Sequence, residues 1–254
     1  MSEQWRLLQT GFRTASANMA IDRAVLVANS EGRVPPTVRF FGWNPAAISI
    51  GYFQSLEEEV DLASCRKLGV DYVRRITGGG AVFHEDELTY SIVVPERHPE
   101  IPKNIMESYG RICGAIMKGL SHLRIESQYA PINDIITNGR KISGSAQTRK
   151  AKTVLQHGTV LINVDVDKMF SLLKVPNEKI RDKLIQDVKQ RVTSIQHLLG
   201  KKPCFDEVAQ AMKQGFEEEF NVELVHGTLT EYETAVAEEF EHNCFSSRDW
   251  NHRR

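Results

Sequence analysis

Almost no net charge remains on this chain: 32 Lys and Arg stand against 33 Asp and Glu over 254 residues, leaving −1. Without a global basic field, neither a nucleic-acid coat nor a membrane-surface role has support, and any anion site must be local. Cysteine is scarce. Its four copies, Cys65, Cys113, Cys204 and Cys244, lie far apart and form no CxxC pair, which argues against a zinc ribbon or a disulfide framework. No apolar run approaches the roughly 20 residues that span a bilayer. Residues 1–12 have no long apolar core after a basic start, so no signal peptide is read there. Internal repeats and low-complexity linkers are missing too. The expectation left by these absences is a cytoplasmic globular protein with no nucleic-acid or membrane partner. Its 41% hydrophobic and 26% charged residues are ordinary for that class and suffice for one substantial core, taken as a single domain over 1–254.

What is present divides by periodicity. Residues 15–29 carry Met19, Ala20, Ala24, Leu26 and Val27 with few breakers and read as an amphipathic helix, with Ser16 placed to cap it. Residues 38–41 and 48–53 read as strands around a turn at Asn44-Pro45, and 60–67 as a short helix closed by Gly69. Residues 88–94 are an apolar strand entered through the acidic turn Glu85-Asp86-Glu87. The stretch 105–120 has helical spacing, with Cys113 on its apolar stripe as a buried structural thiol. Beyond it, 154–164 reads as a long strand, 167–173 as a short helix, and 177–190 as a solvated helix or mobile loop. Helices are expected at 206–220, capped by Asp206, and at 230–242, where Thr230 and Glu233 fit a capping box. Hairpins dominate the middle, so the fold class is α+β, a mixed or antiparallel sheet flanked by helices.

Two stretches carry chemistry. Arg74-Arg75-Ile76-Thr77-Gly78-Gly79-Gly80-Ala81-Val82-Phe83-His84 places three glycines between short strands, so backbone N–H groups can approach a bulky anion beside two permanently charged forks. A loose glycine hairpin next to a solvated basic pair is the other reading. The second stretch turns on Asn138-Gly139, a strong type I′ hairpin signal between 132–137 and 140–147. A two-residue loop would set Ile136 opposite Lys141, Asp134 opposite Ser143, and Ile132 opposite Ser145. Asp134, Lys141, Ser143 and Ser145 would then share one face, with Asp134 diagonal to Lys141 at about 7–8 Å. That cluster suits a phosphate site; a solvated pair on an exposed hairpin is the alternative. Gly51-Tyr52-Phe53-Gln54 ends the second strand as either core or pocket wall.

The same residues resemble a known family. Arg74 to His84 looks like the signature loop of lipoate–protein ligase A, and Asn133-Asp134-Ile135 with Gly139-Arg140-Lys141-Ile142-Ser143-Gly144-Ser145-Ala146 resembles its lysine block. Gln156-His157-Gly158-Thr159-Val160-Leu161 fits a third block in the same order, and weaker similarity runs from Asn18 to Trp250. The resemblance implies a biotin/lipoate ligase-like catalytic domain, related to class II aminoacyl-tRNA synthetases, without the small C-terminal accessory domain of many relatives. By this resemblance Lys141 is catalytic. Arg75, Gly78, Gly79, Gly80, Ala81, Val82, Phe83, Asp134 and Lys141 would hold ATP. Tyr52, Arg74, Val82, His84, Lys141, Gly144, Ala146 and His157 would line the lipoate or acyl site, and Asp134 would orient Mg²⁺ or Lys141.

The activity implied is ATP-dependent activation of lipoate, or octanoate, to an acyl-adenylate and its transfer to a protein lysine. The acceptor would be a lipoyl domain of a 2-oxoacid dehydrogenase E2 subunit or a glycine-cleavage H protein, with a separate small accessory-domain protein as a further partner. A lysine ammonium can bridge carboxylate and phosphate, and Mg²⁺ shields the leaving pyrophosphate. The competing reading within the fold is an octanoyltransferase that moves the acyl group from acyl carrier protein through a cysteine thioester. Arg39-Phe40-Phe41-Gly42-Trp43-Asn44-Pro45 and Ser143-Gly144-Ser145-Ala146-Gln147-Thr148-Arg149 resemble that branch. Such enzymes place a cysteine near the lysine block, and this chain has none between Cys113 and Cys204, so the expectation is the ligase. A non-catalytic lipoyl-binding paralogue would be expected to lose Lys141 or the loop arginines, and both are present.

Overall fold

The computed structural model describes residues 2–175 and 180–253. An eight-stranded mixed sheet runs β11-β1-β2-β6-β10-β9-β8-β7. Its strands are β1 (Glu3–Arg13), β2 (Thr37–Trp43), β6 (Glu87–Pro95), β7 (Gln128–Ala130), β8 (Asp134–Thr137), β9 (Arg140–Lys150), β10 (Thr153–Leu161) and β11 (Val222–Gly227). β1 pairs parallel with both β2 and β11, and every other pairing in this sheet is antiparallel. A small sheet, β4 (Asp71–Arg74), β3 (Ala47–Ile50) and β5 (Val82–His84), stands beside it in the order β4-β3-β5.

Period-two alternation sends Trp5, Leu7, Val38, Phe40, Leu88, Tyr90 and Ile92 to one face of the large sheet. There they meet α4 (Ile105–His122) and α8 (Phe205–Phe220), which pack on each other. The opposite face, with Leu8, Phe41 and Val93, is covered by α1 (Ala15–Ser30) and α9 (Glu231–Phe240). Under the small sheet, Ile48 and Ile50 pack with Leu56, Val60 and Cys65 of α2 (Leu56–Glu59) and α3 (Leu62–Leu68) and their link. The remaining helices are α5 (Val166–Leu172), α6 (Arg181–Arg191), α7 (Ile195–Leu199) and α10 (Arg248–Asn251), with a single π-helical turn over Glu241–Phe245. No described helix is long and apolar enough to cross a membrane.

Three expectations change. Strand β1 went unread because Arg6 sits at an inward position of its alternation; the guanidinium is buried against Glu233, which meets it with both oxygens at 2.8 and 2.5 Å, and Thr37 Oγ1. The second strand stops at Ile50, and residues 51–54 form a turn instead of continuing it. Thr14 and Cys204, not Ser16 and Asp206, cap α1 and α8. The Thr230–Glu233 capping box is present: Glu233 Oε2 accepts from the Thr230 N–H at 2.8 Å, and the Glu233 N–H donates to Thr230 Oγ1 at 3.1 Å. Of the stretch 177–190, residues 177–179 lie outside the described residues, and α6 buries no side chain.

Candidate active site

The glycine loop leaves β4 at Arg74 and returns at β5. Its path depends on a backbone contact that only glycine permits: a Cβ on Gly51 would lie 2.0 Å from the Gly79 carbonyl oxygen. Gly79 itself has φ +97°. Arg75 then fastens the loop from inside. Nε donates to Gly78 O, Nη1 to Ser49 O and Ser49 Oγ, and Nη2 to Gly78 O and Gly80 O, all between 2.7 and 3.3 Å. Those are all five N–H groups a guanidinium has. Burial pulls its pKa down to about 10, still well above neutrality. Arg75 therefore holds the loop carbonyls together and offers no free fork to a phosphate.

The neighbouring arginine works the same way, further from the cavity. Arg74 is fully buried and donates to the carbonyls of Gly51, Tyr52, Gln54, Trp250 and Asn251. It does not line the cavity, and neither does Tyr52, whose ring packs against Trp250 and under Arg253. The acyl-site roles given to Arg74 and Tyr52 are corrected on this ground: backbone carbonyls saturate one, and the turn at 51–54 carries the other away.

The β8–β9 hairpin has its two-residue loop at Asn138-Gly139, both at positive φ (49° and 73°), as a type I′ turn demands. Register is regular only as far as Ile136↔Lys141. The next pair is Ile135↔Ser143, so Ile142 is an extra residue on β9. This bulge corrects the expected pairing: Asp134 faces Gly144, not Ser143. Ile142 and Ser143 are buried, while Lys141 and Gly144 line the cavity. The lysine chain lies across the bare Gly144; a Cβ there would be 2.7 Å from Lys141 Cε and Nζ. Lys141 Nζ ends 2.7 Å from Asp134 Oδ1, with both side chains partly open to solvent. Among the described residues no three His, Cys, Asp or Glu side chains group to hold a metal ion, and the one carboxylate assigned to Mg²⁺ faces an ammonium instead.

Between the two sheets lies a cavity of about 310 Å³. Its apolar wall includes Met19, Trp43, Val82, Leu161, Val164 and Met169. Of the expected residues, Arg75, Gly80, Ala81, Val82, Phe83, His84, Lys141, Gly144, Ala146 and His157 come together here; Gly78 and Gly79 form the loop behind it.

Two buried histidines reach the cavity, each bridging a hydroxyl and a carboxylate. His84 Nε2 is 2.7 Å from Ser49 Oγ and its Nδ1 is 2.7 Å from Glu87 Oε1, with the ring stacked on Trp43. His157 Nε2 is 2.7 Å from Thr77 Oγ1 and its Nδ1 is 3.1 Å from Asp22 Oδ2. Burial holds the His157 pKa below its ordinary value, against the pull of Asp22. Asp22 is held low: burial pushes its carboxyl up, but the His157 hydrogen bond and the Arg39 guanidinium outweigh it. Sequence reasoning passed over Ser49, Glu87, Thr77 and Asp22. The signals were slight: one serine within the apolar strand 47–50, and an acid three residues after His84, the last of the acidic turn 85–87. No cysteine lines the cavity among the described residues; Cys113 lies behind its floor, 3.9 Å from Ser145 Oγ, its thiol pushed up to about 11 by burial.

A family model described as lipoyl protein ligase A/B catalytic domain matches residues 14–217. The chain belongs to this family. Within it, the chain is 38% identical over 275 residues to octanoyltransferase LipM of Geobacillus kaustophilus, covering 99% of both chains. It is 39% identical over 272 residues to octanoyltransferase LipM of Moorella thermoacetica, covering 100% of this chain and 99% of the relative. Among solved structures, the bi-partite lipoate protein ligase of Thermoplasma acidophilum, described with its E2 lipoyl domain, superposes with a TM-score of 0.90 at 30% identity, covering 98% and 96% of the two chains. A lipoate–protein ligase A structure bound with ATP gives 0.84 at 28%, covering 99% and 98%. The lipoate ligase-like fold and an enzyme of the lipoyl ligase and transferase family are thus in hand. The expected ATP-dependent ligase activity is overturned by the full-length relatives, which are octanoyltransferases. The missing cysteine near the lysine block is outweighed by the likeness to octanoyltransferases already visible at 39–45 and 143–149.

Proposed function

We propose that the chain is a protein octanoyltransferase, moving an octanoyl group from the thioester of acyl carrier protein to a lysine of a lipoyl domain. Full-length likeness to octanoyltransferases at 38–39% identity carries the reading. The geometry supports it. A mostly apolar cavity of about 310 Å³ suits a saturated medium-length chain, and Lys141 is among its lining. As the thioester carbonyl is attacked, negative charge grows on its oxygen, and a fixed ammonium stabilises that charge without rearranging solvent. Asp134 keeps the lysine extended across Gly144, while its partial exposure leaves room for an incoming acceptor lysine.

The test supplies octanoyl-acyl carrier protein and a lipoyl domain to the purified chain and follows the mass of the acceptor. Acyl transfer from the thioester is expected, falling on the order of 100-fold or more in Lys141→Ala. Octanoylation that requires free octanoate and ATP, with the thioester inert, would overturn the reading.

A further inference from the structure

Resting on the octanoyltransferase reading, we propose that Ser49 is the residue that carries the acyl group, through a Ser49–His84–Glu87 relay in the cavity wall. Three observations converge on it. Ser49 and His84 both line the cavity that would hold the chain, and no cysteine does so among the described residues. The hydroxyl, imidazole and carboxylate follow one another at 2.7 and 2.7 Å, in the order of a nucleophile, its base and the group that orients the base. Among the described residues, Ser49 is also the only cavity-lining hydroxyl bonded to a histidine; Ser145 is 2.8 Å from Tyr90 Oη, and Thr89 donates to Glu87.

The hydrogen-bond chain also sets the direction of proton flow. Trp43 Nε1 donates to Thr89 Oγ1, so the Thr89 proton points at Glu87 Oε1. Glu87 Oε1 is the acceptor there, so His84 Nδ1 is the donor to the same oxygen. In the neutral ring Nε2 is then a lone pair facing the Ser49 hydroxyl, the tautomer a general base needs. Arg75 Nη1 donates to Ser49 Oγ at 3.0 Å, which stabilises charge on that oxygen as its proton leaves. The strand itself presents the nucleophile: Ile48 and Ile50 turn into the apolar cluster beneath β3, and Ser49 turns the other way.

In the first step Ser49 Oγ bonds to the thioester carbonyl carbon and passes its proton to His84 Nε2. The C–S bond then breaks, the carrier thiol takes the proton from His84, and octanoyl-Ser49 ester remains. In the second step the acceptor amine attacks that ester. One amine proton moves to His84 and on to Ser49 Oγ as the C–O bond breaks, leaving the amide and the free hydroxyl.

To test this, the chain is mixed with octanoyl-acyl carrier protein without acceptor, quenched, digested and mapped by mass spectrometry. An octanoyl adduct on the peptide containing Ser49, discharged when a lipoyl domain is added, is expected. Ser49→Ala should lose the adduct and on the order of 100-fold or more in transfer rate, while Ser49→Cys should recover an adduct that neutral hydroxylamine cleaves rapidly. Transfer by the native chain with no adduct on Ser49, or full-rate transfer by Ser49→Ala, overturns the assignment and leaves the octanoyltransferase reading standing. Absence of any transfer from the carrier by the native chain removes both.

Discussion

The two histidine relays use the same three kinds of group and are finished differently. Around His157, whose ring edges the cavity, the hydroxyl and the carboxylate at the two ends are both closed off. Asp22 Oδ1 accepts from Arg39 at 2.8 Å and from Ser91 at 2.9 Å, Arg39 is held further by Thr10 and Asn18, and Thr77 is fully buried behind the cavity lining. Around His84 one end opens on the cavity, and Glu87 Oε2 is a buried carboxylate oxygen with no hydrogen-bond partner among the described residues. A closed network ties elements together; an open one keeps a hydroxyl within reach of a ligand.

The largest break falls on the closed side. Asp22→Ala should cost about 3–5 kcal/mol in urea unfolding, because it leaves the buried Arg39 cation without its counter-charge. Glu87→Gln, tested in parallel, should stay within about 1–2 kcal/mol of the native stability, yet lower transfer on the order of 100-fold by mis-setting the His84 tautomer. Matching stability losses in the two variants would erase the distinction. Next in size is Gly144→Ala, which should displace Lys141 from Asp134 and reduce transfer about tenfold. Its melting temperature should hardly move, since the clash falls on the far end of a flexible chain.

The smallest effect is a pH dependence that separates the relays. His157 titrates below its ordinary 6.5 in the fold. As pH falls through 6.5 the unfolded chain takes up a proton that the folded one does not, so stability is lost on acidification. Asp22, held below 3.8, adds a further loss only under more acid conditions, as pH falls from that value through its lowered one. His157→Gln should flatten the curve between pH 7 and 5, where one such group contributes at most about 1.4 kcal/mol per pH unit. An unchanged slope in that window would mean that this histidine is not the neutral member of the closed network.

How much of this was legible in the sequence follows a physical line. Asn138-Gly139 announced its hairpin because φ > 0 at two successive positions is a demand few residues meet. The stripe over 105–120 announced α4 because burial repeats along it. The bulge at Ile142 was not legible: nothing local distinguishes an extra apolar residue from a paired one, and it alone swaps Ser143 for Gly144 on the Lys141 face. Nor was the fate of Arg74 and Arg75, since five donors look alike whether they await an anion or already hold carbonyls from far along the chain.

The grip of Arg74 has one more consequence. Its guanidinium and backbone are held by Trp250 and Asn251, more than 170 residues later: Nε and Nη2 reach the carbonyls of Trp250 and Asn251, its N–H donates to Asn251 Oδ1 at 2.7 Å, and Trp250 Nε1 donates to its carbonyl at 2.8 Å. On the ribosome the glycine loop is made early, and these bonds to it wait until α10 emerges from the exit tunnel. A nascent chain stalled before Trp250 would lack that clasp between β4 and α10.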